Sequence, residues 1–498
     1  MKILFKYKLL FIALLLTATA CEDNFLEINK DPNNPTDVPI SVLLPAIEAR
    51  LAYSYGGSEY ATQPAHFVHY YAGHRNQHLR FDQWDIQLPD NNNYWNTIYA
   101  GVLQDIQEME TRAIESESFT YVGIGKVLRA LSFAMLTDGF GDIPFEEALK
   151  VSEVITPAYD TQESIYPKLI AILDDAIIDL GKPSAKVPGS DDYIYGGSAT
   201  LWVKFANSLK LRLLNRISKQ DASAAINFLN TNPSLIANNG EGAEVQFIAS
   251  ATQENPMYQL DNLSGFQDNA LSAQFLDRLT NLNDPRIPHF FEPVTNGGGI
   301  AGKVSGLDDD DSGRGKYSRI GAAFAAADAP VPFMTFSEVQ FLVAEIQFRA
   351  GNAGAAQAAY EAAVAADLER VSSVAGGKKE INLLTASDRG DDLPTISSTE
   401  IADYLAQSTV AYNGTLARIM EQKYISNFVN PAEGWYDWRR TGFPADFATP
   451  STNFTVGVRP RKLPYPQNEI NFNSGSLSAG PGLPVKDVTL LNRVWWDQ

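Results

Sequence analysis

Cysteine is nearly absent: Cys21 is the only one in 498 residues. No intramolecular disulfide can form, so burial and polar pairing must hold the fold. Histidine is scarce too, with five in the chain, and there is no HExxH pair, GxSxG elbow or cysteine nucleophile motif. Nothing in the chain singles out a catalytic constellation. Basic residues are outnumbered, 39 Lys and Arg against 59 Asp and Glu, for a formal charge of −20. So acidic a surface repels nucleic acid and anionic lipid headgroups. Strand-like alternation is rare, which leaves a mainly helical chain.

What is present begins with an export pattern. Lys2, Lys6 and Lys8 precede an apolar run from Leu9 to Ala20, too short to span a bilayer as a stable helix and of the form of a secretory signal. Cys21 follows Thr17-Ala18-Thr19-Ala20, which resembles a bacterial lipobox, with Ala18 where leucine is usual. Cleavage there would leave the sole cysteine at the new N-terminus to carry acyl chains, the predicted membrane anchor. Removing residues 1–20 takes three lysines and no acid, so the acidic excess grows. The polar stretch up to residue 40, with Pro32, Pro35 and Pro39, reads as a tether. The expected organisation is a signal peptide at 1–20, a lipidated N-terminus and tether at 21–40, and a single domain at 41–498.

Helical periodicity is expected over 41–55, 91–117, 119–137, 161–181, 198–218, 268–282, 337–350, 353–373, 398–409 and 414–428. In the second of these, Trp95, Ile98, Tyr99, Val102, Leu103, Ile106 and Met109 recur at three- and four-residue spacing. Loops rich in Gly, Pro, Asn and Asp separate the helices, notably 182–197, 284–335 and 441–489. Around Gly351, Ala344, Ala356, Tyr360 and Ala363 fall at the offsets of a tetratricopeptide hairpin, where small residues let two helices approach and an aromatic wedges between them.

Three constellations invite a ligand. His66, His69, His74 and His78 lie within thirteen residues, and His74 and His78 would share a helical face. No carboxylate stands at ligand spacing, so packing or ligand contact is favoured over zinc. Gly297 to Lys303 spells part of a phosphate loop, but Val304 replaces the magnesium-binding hydroxyl and no apolar strand precedes it. Asp308, Asp310 and Ser312 alternate as in a calcium loop, with Gly313 at the turn and Arg319 in place of the bidentate acid. A solvated acidic loop is the favoured reading there, calcium the alternative.

Longer segments carry a resemblance. PFMTFSEVQFLVAEIQFRAG (332–351), MEQKYISNFVNPAEGWYDWRRTGFP (420–444), RPRKLPYPQNEINFN (459–473) and RVWWD (493–497) are similar to the SusD/RagB family of outer-membrane lipoproteins, in its SusD-like branch. NFLEINKDPNNPTDVP (24–39), TDGFGDIPFEEAL (137–149) and DPRIPHFFEP (284–293) agree in order and spacing. The resemblance implies a mainly α, SusD-like fold of four tetratricopeptide-like helical hairpins with long irregular loops packed on one side. It also implies a cell-surface lipoprotein at the outer membrane that binds glycan and delivers it to a TonB-dependent β-barrel transporter, with no catalysis and no cofactor. Trp435, Trp438, Arg439, Arg440, Arg461, Tyr465, Pro466 and Glu469 fall in its motifs and are expected to hold the fold. Ligand residues have no motif to carry over. Tyr70, Tyr71, His74, Arg75 and Trp84 are the candidates, because flat faces and polar tips suit sugar rings; core packing is the competing role for each. A peptide-capture or scaffold lipoprotein on the same fold, and an exported glycosidase, are the alternative functions.

Overall fold

The computed structural model describes residues 38–150, 153–263, 268–294, 299–308, 315–375, 379–382, 387–485 and 488–498. Cys21, the signal and most of the tether lie outside these residues. Nine helices of ten or more residues dominate the described chain: Ile40–Gly56, Gln104–Glu115, Phe119–Phe140, Gln162–Leu180, Ala199–Arg216, Phe336–Arg349, Ala353–Ala375, Leu416–Ser426 and Pro431–Thr441. Three two-stranded antiparallel ribbons are the only sheets among them. The expected mainly helical chain is found.

Local chemistry sets the helix starts. The Thr335 hydroxyl accepts from Glu338 N at 3.1 Å, and Thr161 and Thr415 cap their helices the same way. The Pro431–Thr441 helix begins on proline, which has no N–H to leave unpaired, and ends at Gly442 in the left-handed region (φ +78°). Phe119–Phe140 is apolar enough to cross a membrane, yet 83% of its most apolar window is buried inside the molecule, as in a core helix. Gly123 allows its close packing, for a Cβ there would lie 2.5 Å from Leu180 Cγ. One core runs from Ile40 to Trp496. The hairpin around Gly351 forms as its small residues require, with Ala344, Ala356, Tyr360 and Ala363 all fully buried.

Buried ion pairs lock the helices together, and the motif residues supply them. Arg212 Nε and Nη2 meet the two Glu338 oxygens at 2.6 Å each, and Arg216 pairs with Glu433 and, at 3.4 Å, with Asp138. Arg440 Nη2 reaches Glu345 Oε2 at 2.7 Å and Asp437 Oδ1 at 2.9 Å, while Lys423 Nζ meets Asp437 at 2.8 Å. Burial alone would raise the carboxyl of Asp437, but Lys423, Arg440 and Arg216 hold it far below the usual range. Trp435 Nε1 donates to Pro460 O at 2.8 Å, and Arg439 stacks 3.9 Å over the Trp435 ring. Arg461 pairs with Asp497, and Tyr465 donates to Asp142 O at 2.6 Å. Glu469 accepts from Tyr159 at 2.6 Å, and Trp438 lies half-buried beneath the Arg459 and Arg461 guanidinium groups. These motif side chains are bound into the fold.

Two expectations are corrected. Residues 268–282 are not one helix: Asn269–Leu271 pairs as a strand with Tyr71–Gly73, and Ala273–Asn281 starts afresh behind its Ser272 cap. The helix expected over 91–117 is interrupted by a π-type stretch, Thr97–Leu103.

Candidate functional site

The candidate segment folds tightly. A short helix, Thr62–Phe67, leads to the Tyr71–Gly73 strand and then to the Asn76–Asp82 helix. His69, Asn76 and Trp84 all take positive φ (58°, 52°, 60°), so the chain doubles back three times. Gly73 is required at the second bend, since a Cβ would sit 2.1 Å from His78 O.

The histidines become polar cross-links. Asn269 Oδ1 sits 3.1 Å from His66 Nε2 and 2.6 Å from His78 Nδ1. His69 Nδ1 meets Ser305 Oγ at 3.0 Å, and its Nε2 meets Ala448 O at 2.7 Å. Burial pushes the His78 imidazole down to about 4, helped by His66, and pushes His69 well below its ordinary value, helped by Arg459. Neutral rings in a dry interior suit hydrogen bonding between loops. Among the described residues no group of three His, Cys, Asp or Glu could hold a metal.

Two loops seal this network. Gly306 N donates to Asp82 Oδ2 at 2.6 Å, Gln83 Nε2 to Gly306 O at 3.2 Å, and Phe454 N to Gln83 O at 3.0 Å. Ser451 N joins the loops to each other through Ser305 O at 2.9 Å. Between them lies Arg459, buried and, among the described residues, without a carboxylate partner. Its guanidinium sits 4.9–5.3 Å from the Phe447, Trp84 and Trp438 rings, donates to the Phe67 and Ala448 carbonyls, and is pulled down to about 9 by burial.

Of the five candidates, four face inward. Tyr70 stacks on Tyr424 at 4.5 Å, Tyr71 meets Phe428 edge-on, Trp84 lies under Arg459, and His74 is buried 5.5 Å from Tyr317. An open aromatic platform at Tyr70, Tyr71, His74 and Trp84 is therefore not what forms: the chain reversals turn those faces into the core. Arg75 is the exception. It stays part-exposed, its Nε bonded to Asp268 Oδ1 at 2.7 Å. The outer surface carries side chains that the pattern did not single out. Phe454 is 49% and Val456 91% exposed, and Val456 holds φ +49°, a strained state for a β-branched residue and one that recurs at ligand clamps.

The other constellations resolve differently. Lys303 is buried, with its ammonium bonded to Leu307 O, so it cannot serve a phosphate; Gly297 and Gly298 lie outside the described residues. Asp308 is exposed, and Asp310 and Ser312 also lie outside them. Arg319 points inward to Asn269 O at 3.3 Å.

Solved structures share this architecture. A SusD/RagB family protein of Bacteroides thetaiotaomicron matches at 24% identity, with a TM-score of 0.78 and coverage of 93% of this chain and 99% of its own. A chitin-binding SusD homolog of Flavobacterium johnsoniae matches at 23% identity, TM-score 0.73, with 92% and 98% covered. A SusD homolog of Bacteroides fragilis gives 20%, 0.73, 91% and 100%. No curated protein matches the chain. A family model, SusD-like and described as starch-binding and associating with the outer membrane, matches residues 32–466, and the chain belongs to that family.

Proposed function

We propose that the protein is a cell-surface lipoprotein, held by acyl chains on Cys21, that binds glycan without cleaving it and passes it to a TonB-dependent β-barrel transporter. The family match carries this reading, since the family is described as starch-binding at the outer membrane. The loop face supports it. Phe454 and Val456 offer apolar surface at one end of the Asn76–Asp82 helix, and Arg75 stands at the other, about 10 Å away along seven residues. Apolar surface beside polar groups is what the two sides of a sugar ring require. Such a shallow face makes few contacts, so free ligand binds modestly and capture depends on closure against the barrel.

Co-purification from detergent-solubilised membranes tests the partnership: a β-barrel protein should accompany the chain, and its absence would contradict delivery. Glycans incubated for long periods with pure protein should stay intact; cleaved product would make the protein a glycosidase. Cys21→Ser should release the protein from the membrane, and unchanged retention with acyl labelling would overturn the anchor.

A further inference from the structure

A second opening lies between the Ile40–Gly56 helix and the π-type stretch Thr97–Leu103, and it shares no residue with the Tyr70–Trp84 segment. The widened turn creates it. Gly101 lies under Arg50, and a Cβ there would stand 2.8 Å from Arg50 Cδ. With glycine there the guanidinium lies across the turn without being pushed aside. Arg50 Nη1 then donates to Gly101 O at 2.6 Å and pairs with Asp105 Oδ2 at 2.7 Å. Wide turns of this kind recur at functional sites. The groove they leave measures about 610 Å³, inside the roughly 300–1,000 Å³ of small-ligand sites.

Its lining has unspent bonding capacity. Arg50 Nε and Nη2, Glu59 Oε2 and the Asn96 amide have no protein partner among the described residues; the one bond to Glu59 is a long 3.4 Å contact from Thr97 to Oε1. Tyr53 is 40% exposed on the same groove, its hydroxyl pinned to Gln259 and its ring held edge-on by Phe247. A fixed aromatic ring beside planar donors and acceptors is the equipment for a sugar: C–H groups pack on the ring, and vicinal hydroxyls bridge carboxylate, amide and guanidinium. Charge narrows the class. Asp105 already balances Arg50, so Glu59 leaves the groove negative on a chain of net −20, which disfavours uronates and sulfated sugars.

We infer that this groove is a second saccharide-binding site, taking a neutral sugar of one or two rings. The inference rests on the glycan reading above. Calorimetric titration of the full chain in detergent with maltotetraose, with N-acetylchitotetraose and with tetragalacturonate tests it. Tyr53→Ala and the pair Glu59→Gln, Asn96→Ala should each weaken one binding step for a neutral probe by about tenfold or more, each measured well below its own melting temperature. Tyr53→Phe, which keeps the ring, should bind as wild type. Unchanged binding in the Tyr53→Ala and Glu59→Gln, Asn96→Ala variants would overturn the groove and leave the glycan reading standing. Failure of the wild type to bind either neutral probe would overturn both for these sugars. Equal binding of tetragalacturonate would overturn the neutral assignment.

Discussion

The interior around Arg440 and the groove around Arg50 are made of the same side chains put to opposite use. Arg440, Glu345, Asp437 and Lys423 are buried, and their charges are matched within the cluster. Arg50, Glu59 and Asn96 lie at an open surface, with bonding capacity left over. A buried charge must find its partner within the protein, because water is not there to replace it. An exposed one is solvated cheaply and can exchange water for ligand. Polar residues in the first setting belong to the fold, and those in the second are available for recognition.

The sharpest way to break this contrast is to remove one member of the interior cluster. Arg440→Ala takes the two-pronged partner from buried Glu345 and leaves Asp437 with Lys423. It should cost about 3–5 kcal/mol, read as a large fall in melting temperature; a shift of a degree or two would contradict a structural role. The Trp pair refines it. Trp435→Ala, at a fully buried position, should cost about 3–5 kcal/mol, and Trp438→Ala, half-buried, should cost less. A Trp438 variant of unchanged stability that loses glycan binding would move that residue to the ligand side.

Acid tests the neutral histidines that join the loops. His78 stands at about 4 when folded, against 6.5 ordinarily. Between those values the unfolded chain binds a proton that the folded chain does not, so stability is full above pH 6.5 and falls as the pH drops toward 4. The slope should reach about 1.4 kcal/mol per pH unit from this site, and urea titrations of wild type and His78→Gln should differ by that slope. Equal slopes would mean that His78 is solvated. The smallest effect belongs to the surface. Arg75→Ala should lower stability less than Arg440→Ala, because Arg75 itself is part-exposed although its Asp268 partner is buried, while weakening glycan binding. A loss as large as that of Arg440→Ala would place Arg75 with the interior cluster.

Long helices were legible because burying one face forces a period of three and four, as Trp95 to Met109 show. Pro431–Thr441 was not read as a helix, because Glu433, Asp437 and Arg440 on its buried side break the apolar period. The strands, three to six residues long, are too short to show alternation. At the site, neighbourhood in sequence suggested a shared surface, but three positive-φ reversals sent Tyr70, Tyr71, His74 and Trp84 inward. Tyr53 was hidden for the opposite reason: it sits in a helix whose Leu44, Ile47, Leu51 and Tyr55 form core, so an aromatic there reads as one more core position.

The most direct measurement is a calorimetric titration of the wild-type chain with neutral oligosaccharides, beside Arg440→Ala and Arg75→Ala, each held well below its melting temperature. The wild type should bind saturably, Arg440→Ala should bind as tightly while melting earlier, and Arg75→Ala should melt closer to the wild type than Arg440→Ala while binding more weakly. Loss of binding in Arg440→Ala while it remains folded, with full binding in Arg75→Ala, would contradict the division between a charge-locked interior and a ligand-facing surface.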